Sequence, residues 1–584
     1  MIIGKTENIW DHATHTNPCV VKDCSNGDIA DDSYHQYKRD VEMMRELGLD
    51  FYRFSLSWTR ILPTSFPDKI NEAGVQYYNN LIDEMLKYNI KPMITLYHWD
   101  LPQKLQDMGG WTNPEIVNWF ADYARIAFEL FGDRVTDWIT INEPHQVCYH
   151  GYGDDTLAPL LNIKGVADYL CAKNLLLAHA KAYHIYDKEF RPSHGGKIFI
   201  ALSAQWYDTE YEEFVDAAKE ANDFTWAIYS HPIFSETGDF PPVVKKYVAQ
   251  RSAEQGFYRS RLPEFTEEEI DYVRGTSDYF GLNHYLTYYV YRNQSLINYY
   301  ESPSFEEDMG VITYIYDEWQ IGESKYTKFV PWGFYKLLTR IREDYGNPPV
   351  IITENGFATK GGLNDEDRVT YYRHYISAML DAMEEGSDVR AYTAWSLMDN
   401  FEWLAGYTER FGLYEVDYES PERTRTPRKS AFVYKQIVRT RELDMHYEPD
   451  TDFVPWGFYK LLTRIREDYG NPPVIITENG FATKGGLNDE DRVTYYRHYI
   501  SAMLDAMEEG SDVRAYTAWS LMDNFEWLAG YTERFGLYEV DYESAERTRT
   551  PRKSAFVYKQ IVRTRELDMH YEPDTDVMTI DEGH

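Results

Sequence analysis

A chain of 584 residues, 43 % of them hydrophobic, has ample apolar side chain for one large core and more length than an ordinary barrel needs. Its net charge of −37 works against binding to nucleic acid or to anionic membrane surfaces. No run approaches the 18 apolar residues that would suggest a membrane-spanning helix.

In chain order, the N-terminal MIIGKTENIW has neither a basic region nor an apolar stretch, so no signal peptide is expected in the chain as given. Cys19 and Cys24 could pair, but four cysteines in all do not identify a disulfide scaffold or a metal site. Asp11, Asp31 and Asp32 match no ligand spacing and read as a solvated loop; no metal and no cofactor are expected. Val41, Met44 and Leu47 recur at helical spacing before the first candidate strand, Asp50–Ser57. Further strands are expected at Lys91–Tyr97, Val135–Asn142, Lys197–Ser203, Ser277–Leu282, Val350–Thr353 and Val389–Trp395, with amphipathic segments between them. The lone sequon Asn293-Gln294-Ser295 says little. Repeated βα units point to a parallel sheet with helices outside, and an eight-stranded (β/α) TIM barrel is the natural candidate, one strand short.

Residues 329–452 recur as 453–576 at a constant offset of 124, and Pro421 against Ala545 is the one difference. Each copy carries two strands and their helices, too little to bury its own sheet faces. The expected organisation is a barrel over 1–452, a duplicated quarter-barrel over 453–576 and a tail over 577–584.

Two strand-like runs end in a glutamate. VTDWITINEP carries Glu143 and PPVIITENG carries Glu354, each at a strand tip where Pro or Gly stops the run. Two carboxylates converging at one mouth of a barrel are what glycoside hydrolysis needs. The aromatic content of 16 % supplies flat faces that suit sugar rings and ordinary cores alike.

Seven segments, NIWD (8–11), YRFSLSWTRILP (52–63), LYHWDLP (96–102), INEP (141–144), YFGLNHY (279–285), ITENG (352–356) and WSLMDNFEW (395–403), together resemble glycoside hydrolase family 1, the β-glucosidase family, in its animal and insect-like branch. The resemblance implies a TIM barrel, retention of configuration and a small neutral β-glycoside as substrate. It makes Glu354 the nucleophile, supported by Arg53 and Tyr285, and Glu143 the general acid/base, with Asn142 on the sugar 2-hydroxyl. His98, Asn283, Trp395, Glu402 and Trp403 would complete the sugar pocket, and an acidic Glu402 would disfavour phosphorylated sugars. Glu478, Trp519, Glu526 and Trp527 repeat Glu354, Trp395, Glu402 and Trp403 in the second copy.

The chain departs from the family in beginning seven residues before Asn8, without the first strand and its sugar-gripping Gln, so the barrel should be open at that point. A β-glucosidase-like exo-enzyme is the expected function. A thioglucosidase of the myrosinase kind and an inactive sugar-binding pseudoenzyme are the alternatives, and variable loops such as 204–215 and 299–325 would carry the leaving-group contacts. The resemblance suggests a secreted protein if a leader precedes this sequence and a cytoplasmic one otherwise; the oligomeric state is left open.

Overall fold

Short runs rich in β-branched and aromatic residues form one parallel sheet of seven strands in the computed structural model, which describes residues 4–295, 302–316, 318–319, 322–324, 327–448, 455–569 and 571–573. The strands are β1 (Phe51–Ser55), β2 (Lys91–Tyr97), β3 (Asp137–Asn142), β4 (Lys197–Ser203), β5 (Phe280–Asn283), β6 (Val350–Asn355) and β7 (Val389–Ala394). Their order in the sheet follows the chain, with pairings such as Phe51↔Lys91, Met93↔Asp137, Ile200↔Phe280 and Val350↔Val389. Helices connect them, giving a nearly closed (β/α) barrel. Several strand limits move from the sequence expectation: β3 starts at Asp137 rather than Val135, β5 at Phe280 rather than Ser277, and β6 runs on to Asn355.

Alternation along the strands builds two layers. Met93, Ile139, Phe199 and Ile351 point into the barrel and pack together with Ala201. Their neighbours Ile94, Trp138, Ile200 and Ile352 point out into the main core. The helix Ile116–Phe131 shows how that core is covered. Ile116, Phe120, Ala124, Ala127, Phe128 and Phe131 fall on one face and are buried. Phe128 meets Trp138 edge to face at 5.0 Å. Burying such a side chain contributes about 1.5–3 kcal/mol.

The middle strands are buried along nearly their whole length, whereas β1 and β7 are largely half-exposed. β1 and β7 do not pair, and both line a cavity of about 780 Å³ with Tyr52, Phe54 and Tyr392 on its walls. The barrel is open there among the described residues.

Two features of the N-terminal third depart from expectation. Asp11 and Asp31 are not simply solvated. Asp11 accepts from the Asn8 backbone amide at 3.0 Å, completing a capping box on the helix Ile9–Thr16, and Asp31 accepts from the Tyr418 hydroxyl at 2.7 Å. All four cysteines are paired, Cys19 with Cys24 and Cys148 with Cys171. Among the described residues no group of His, Cys, Asp and Glu is arranged to hold a metal, and no helix is long and apolar enough to cross a membrane.

The chain divides into two compact units, Met1–Tyr447 and Glu448–His584. The first holds the barrel. In the second, β8 (Val474–Asn479) and β9 (Val513–Ala518) form a two-stranded parallel sheet, with the helix Glu490–Glu508 among the elements beside it. A small cluster of Leu462, Ile476, Tyr496, Ile500 and Val513 holds it together. Its outer faces are open, with Ile475, Leu521 and Phe525 exposed.

Candidate active site

β3 and β6 deliver the two glutamates to one end of the barrel. Glu143 follows Asn142 with a left-handed backbone (φ 50°), and its amide donates to Ala201 O at 2.8 Å. Such a conformation in a non-glycine residue carries strain that surrounding contacts must hold in place. Glu354 is the fifth residue of β6, and Gly356 follows because a Cβ there would come 2.0 Å from Trp395 O. That close approach, rather than a turn, is the reason for the glycine in ENG.

Glu354 is almost fully buried, and both its oxygens accept hydrogen bonds. Arg53 Nη1 donates to Oε1 at 2.6 Å and the Tyr285 hydroxyl to Oε2 at 2.7 Å. Burial, and then Glu354 and Glu143, push Tyr285 well above its ordinary value, so it stays a donor. Arg53 is itself fixed by three further acceptors: Thr353 O at 3.0 Å, Thr95 Oγ1 at 3.1 Å and Asn142 Oδ1 at 2.7 Å.

Glu143 is also buried. Asn283 Nδ2 donates to its Oε1 and to Asn142 Oδ1, each at 3.0 Å, while Thr353 Oγ1 donates to Asn283 Oδ1 at 2.6 Å. A continuous chain of polar contacts therefore runs from Glu143 through Asn283, Asn142 and Arg53 to Glu354. Burial first, then the charge of Glu354, raises Glu143 above the usual carboxylate range. One carboxylate thus lies against a guanidinium, and the other is a desolvated group inclined to keep its proton.

His98, Trp395, Glu402 and Trp403 line the same cavity as the two glutamates, about 160 Å³ in volume. Burial, then Arg53, holds His98 well below its ordinary value, so the neutral ring's Nε2 accepts from Asn142 Nδ2 at 3.2 Å. The His98 ring lies 5.9 Å from both Trp395 and Trp403. Asn400 Nδ2 donates to Glu402 at 2.7 Å, and burial pushes Glu402 up to about 7. The loop carrying these residues is anchored from below, where Arg428 makes two 2.8 Å bonds to Asp399 with both side chains fully buried.

All ten site residues expected in the first copy lie in this region: nine are bonded to the glutamates or line their cavity, and Asn142 joins them through Arg53, Asn283 and His98. The second copy differs: Glu478 is exposed, and Trp527 is 84 % exposed. Trp519 and Glu526 are half-buried within their own unit, where Trp519 Nε1 donates to Glu526 at 3.3 Å. Sequence reasoning missed the outer wall, made by Gln146, His150, Thr156, Leu157, Ser203 and Glu409. Those residues form no motif; their signal is position alone, beyond the tip of β3, at the tip of β4 and in the loop after β7. The expected leaving-group loops contribute Ala204, Gln205 and Ser324. Part of 299–325 lies outside the described residues.

Comparison with known proteins places this geometry in a family. The chain matches glycosyl hydrolase family 1 over residues 3–443 and again over 445–567. It is 45 % identical over 442 residues to Myrosinase 1 of Brevicoryne brassicae, covering 75 % of this chain and 94 % of that one. It is 40 % identical over 453 residues to the cytosolic beta-glucosidase of Homo sapiens, covering 76 % and 94 %. The solved structure of an aphid myrosinase superposes with a TM-score of 0.71 at 44 % identity, covering 75 % of this chain and 94 % of that one. With the barrel and two matches in tandem, the chain belongs to glycosyl hydrolase family 1 and is a glycoside hydrolase.

Proposed function

We propose that the protein hydrolyses terminal β-D-glucosides with retention of configuration, using Glu354 as nucleophile and Glu143 as general acid/base. The observation that carries this reading is the contrast between the two carboxyls. Glu354 accepts from Arg53 and Tyr285, whereas Glu143 is desolvated and raised beside it. In the first step a Glu354 oxygen attacks the anomeric carbon. The glycosidic bond breaks, and the leaving oxygen takes the proton of Glu143. In the second, Glu143 takes a proton from water, the hydroxide oxygen bonds to the anomeric carbon, and Glu354 leaves. Asn142 serves the 2-hydroxyl, His98 and Glu402 the outer hydroxyls, and Trp395 a sugar face. Glu402 is acidic and does not suit a phosphorylated sugar.

Incubation with an aryl 2-deoxy-2-fluoro-β-glucoside, digestion and mass spectrometry test the assignment. The glycosyl ester is expected on Glu354. Label on Glu478 would move the site to the second copy, and no ester with active enzyme would sink the retaining mechanism. Thioglucoside hydrolysis is the second reading, favoured by the 45 % identity to an aphid protein named as a myrosinase. Comparative kcat/KM on matched O- and S-glucosides decides between them, and the presence of Glu143 as an acid favours the O-glucoside. Four paired cysteines favour an oxidising compartment.

A further inference from the structure

The cavity that Glu143 lines also holds a histidine that the proposed chemistry leaves idle. Residues Gln146–Gly153 wind as a π-helix soon after β3, a widened turn that recurs at functional sites. It sets His150 on the wall of the cavity that Glu143 and Glu354 line, beside Gln146, Thr156 and Leu157. His150 Nδ1 lies 2.9 Å from Asp154 Oδ2 and 2.7 Å from Thr156 Oγ1. The Thr156 hydroxyl donates its own hydrogen to Asp154 Oδ1. Both groups facing Nδ1 are therefore acceptors. Nδ1 must carry a hydrogen, and the neutral ring presents Nε2 as a lone pair.

The segment is stapled in this arrangement. Asp154 N donates to Tyr149 O at 2.8 Å and Leu157 N to His150 O at 3.0 Å. The Thr156 amide also donates to Asp154 Oδ1 at 2.8 Å, so the carboxyl that faces the imidazole is held by bonds from its own loop. Among the described residues Nε2 makes no hydrogen bond, although the ring borders the reaction cavity.

We propose that His150 is a specificity-determining residue whose Nε2 accepts a hydrogen bond from the leaving group, selecting glucosides whose leaving group carries a hydroxyl, a second hexose above all. The proposal rests on the glucosidase reading. An oriented acceptor discriminates because a leaving group without a donor leaves it unmatched.

The test uses the full chain and two probes, the β-1,4-linked glucose disaccharide and 4-nitrophenyl β-glucoside. The ratio of their kcat/KM values is read in the wild type, in His150→Phe and in His150→Gln, which keeps an acceptor. The expected result is about a tenfold fall in the ratio for His150→Phe, mainly through KM for the disaccharide, and most of the ratio regained in His150→Gln. Should His150→Phe fail to fold, His150→Ala reads the same ratio. Equal losses on both probes, or equal losses in the Phe and Gln variants, overturn the proposal and leave the glucosidase reading standing. A wild type inactive on 4-nitrophenyl β-glucoside overturns both.

Discussion

Residues 329–452 and 453–576 are one sequence but for Pro421 against Ala545, set in two environments, and they separate local from tertiary causes. The local geometry is the same in each. Val350 pairs with Val389 as Val474 pairs with Val513. Arg428 grips Asp399 at 2.8 Å, and Arg552 grips Asp523 at 2.8 and 2.9 Å. Gly356 and Gly480 both meet a tryptophan carbonyl so closely that no Cβ fits. What differs is burial. Ile351 is 4 % exposed and Ile475 61 %, because β6 has β5 on its far side and the barrel interior beneath it, whereas β8 pairs only with β9. The same difference leaves Glu478 exposed within its own unit. Arg53, Asn283 and Tyr285, which position the glutamates in the first unit, come from β1, from β5 and from just beyond β5.

The largest expected effect breaks this comparison most directly. Glu354→Gln should lower kcat on an aryl glucoside at least about 10⁴-fold, while Glu478→Gln should change it less than twofold. The reverse pattern would make the second copy the working one. Glu143→Gln should cost about 10²–10⁴-fold on alkyl glucosides and far less on 4-nitrophenyl glucoside, since only a poor leaving group needs the proton. Losses of the same size on both would remove Glu143 from that role.

Stability sharpens the contrast at the paired isoleucines. Ile351→Ala should cost about 2–5 kcal/mol in denaturant unfolding of the first unit. Ile475→Ala should stay within about 0.5 kcal/mol. Similar values at both would mean that Ile475 is covered in solution.

A smaller effect lies in the pH dependence. Glu143 is raised in the folded chain, so its contribution to stability is complete below the ordinary value of 4.5 and is lost as pH rises through the raised one. Thermal unfolding of Glu143→Gln should therefore gain on the wild type as pH rises, by up to about 1.4 kcal/mol per pH unit through that interval. The smallest expected effect is that of removing residues 453–584, which should leave kcat/KM of the first unit unchanged within about twofold; abolished activity in a folded product would overturn the assignment to Glu354.

Much of the fold was legible because its signals are local. Apolar runs such as KPMITLY and KIFIALS need only period and length to be read as buried strands, and INEP and ITENG announce strand tips by their Pro and Gly. The site was legible in parts. The glutamates followed from those tips, whereas Arg53, Tyr285 and His98 came only through resemblance, because nothing local ties a residue at position 53 to one at 354. His150 and Gln146 went unread because their role depends on which wall of a cavity the loop forms. Cys148 and Cys171 went unread as a pair because a sequence separation of 23 says nothing of distance in space, and Asp31 read as solvated because its partner Tyr418 lies 387 residues away.

By itself, the sequence determined what depends on neighbours along the chain, strand and helix period and caps, and each copy carries its own longer contacts, Gly356 against Trp395 and Arg428 with Asp399 in the first. Tertiary structure alone decided which of two identical glutamates is desolvated and gripped by Arg53. Burial and electrostatic environment are properties of what surrounds a residue in space, and residues 354 and 478 share a sequence but not those surroundings.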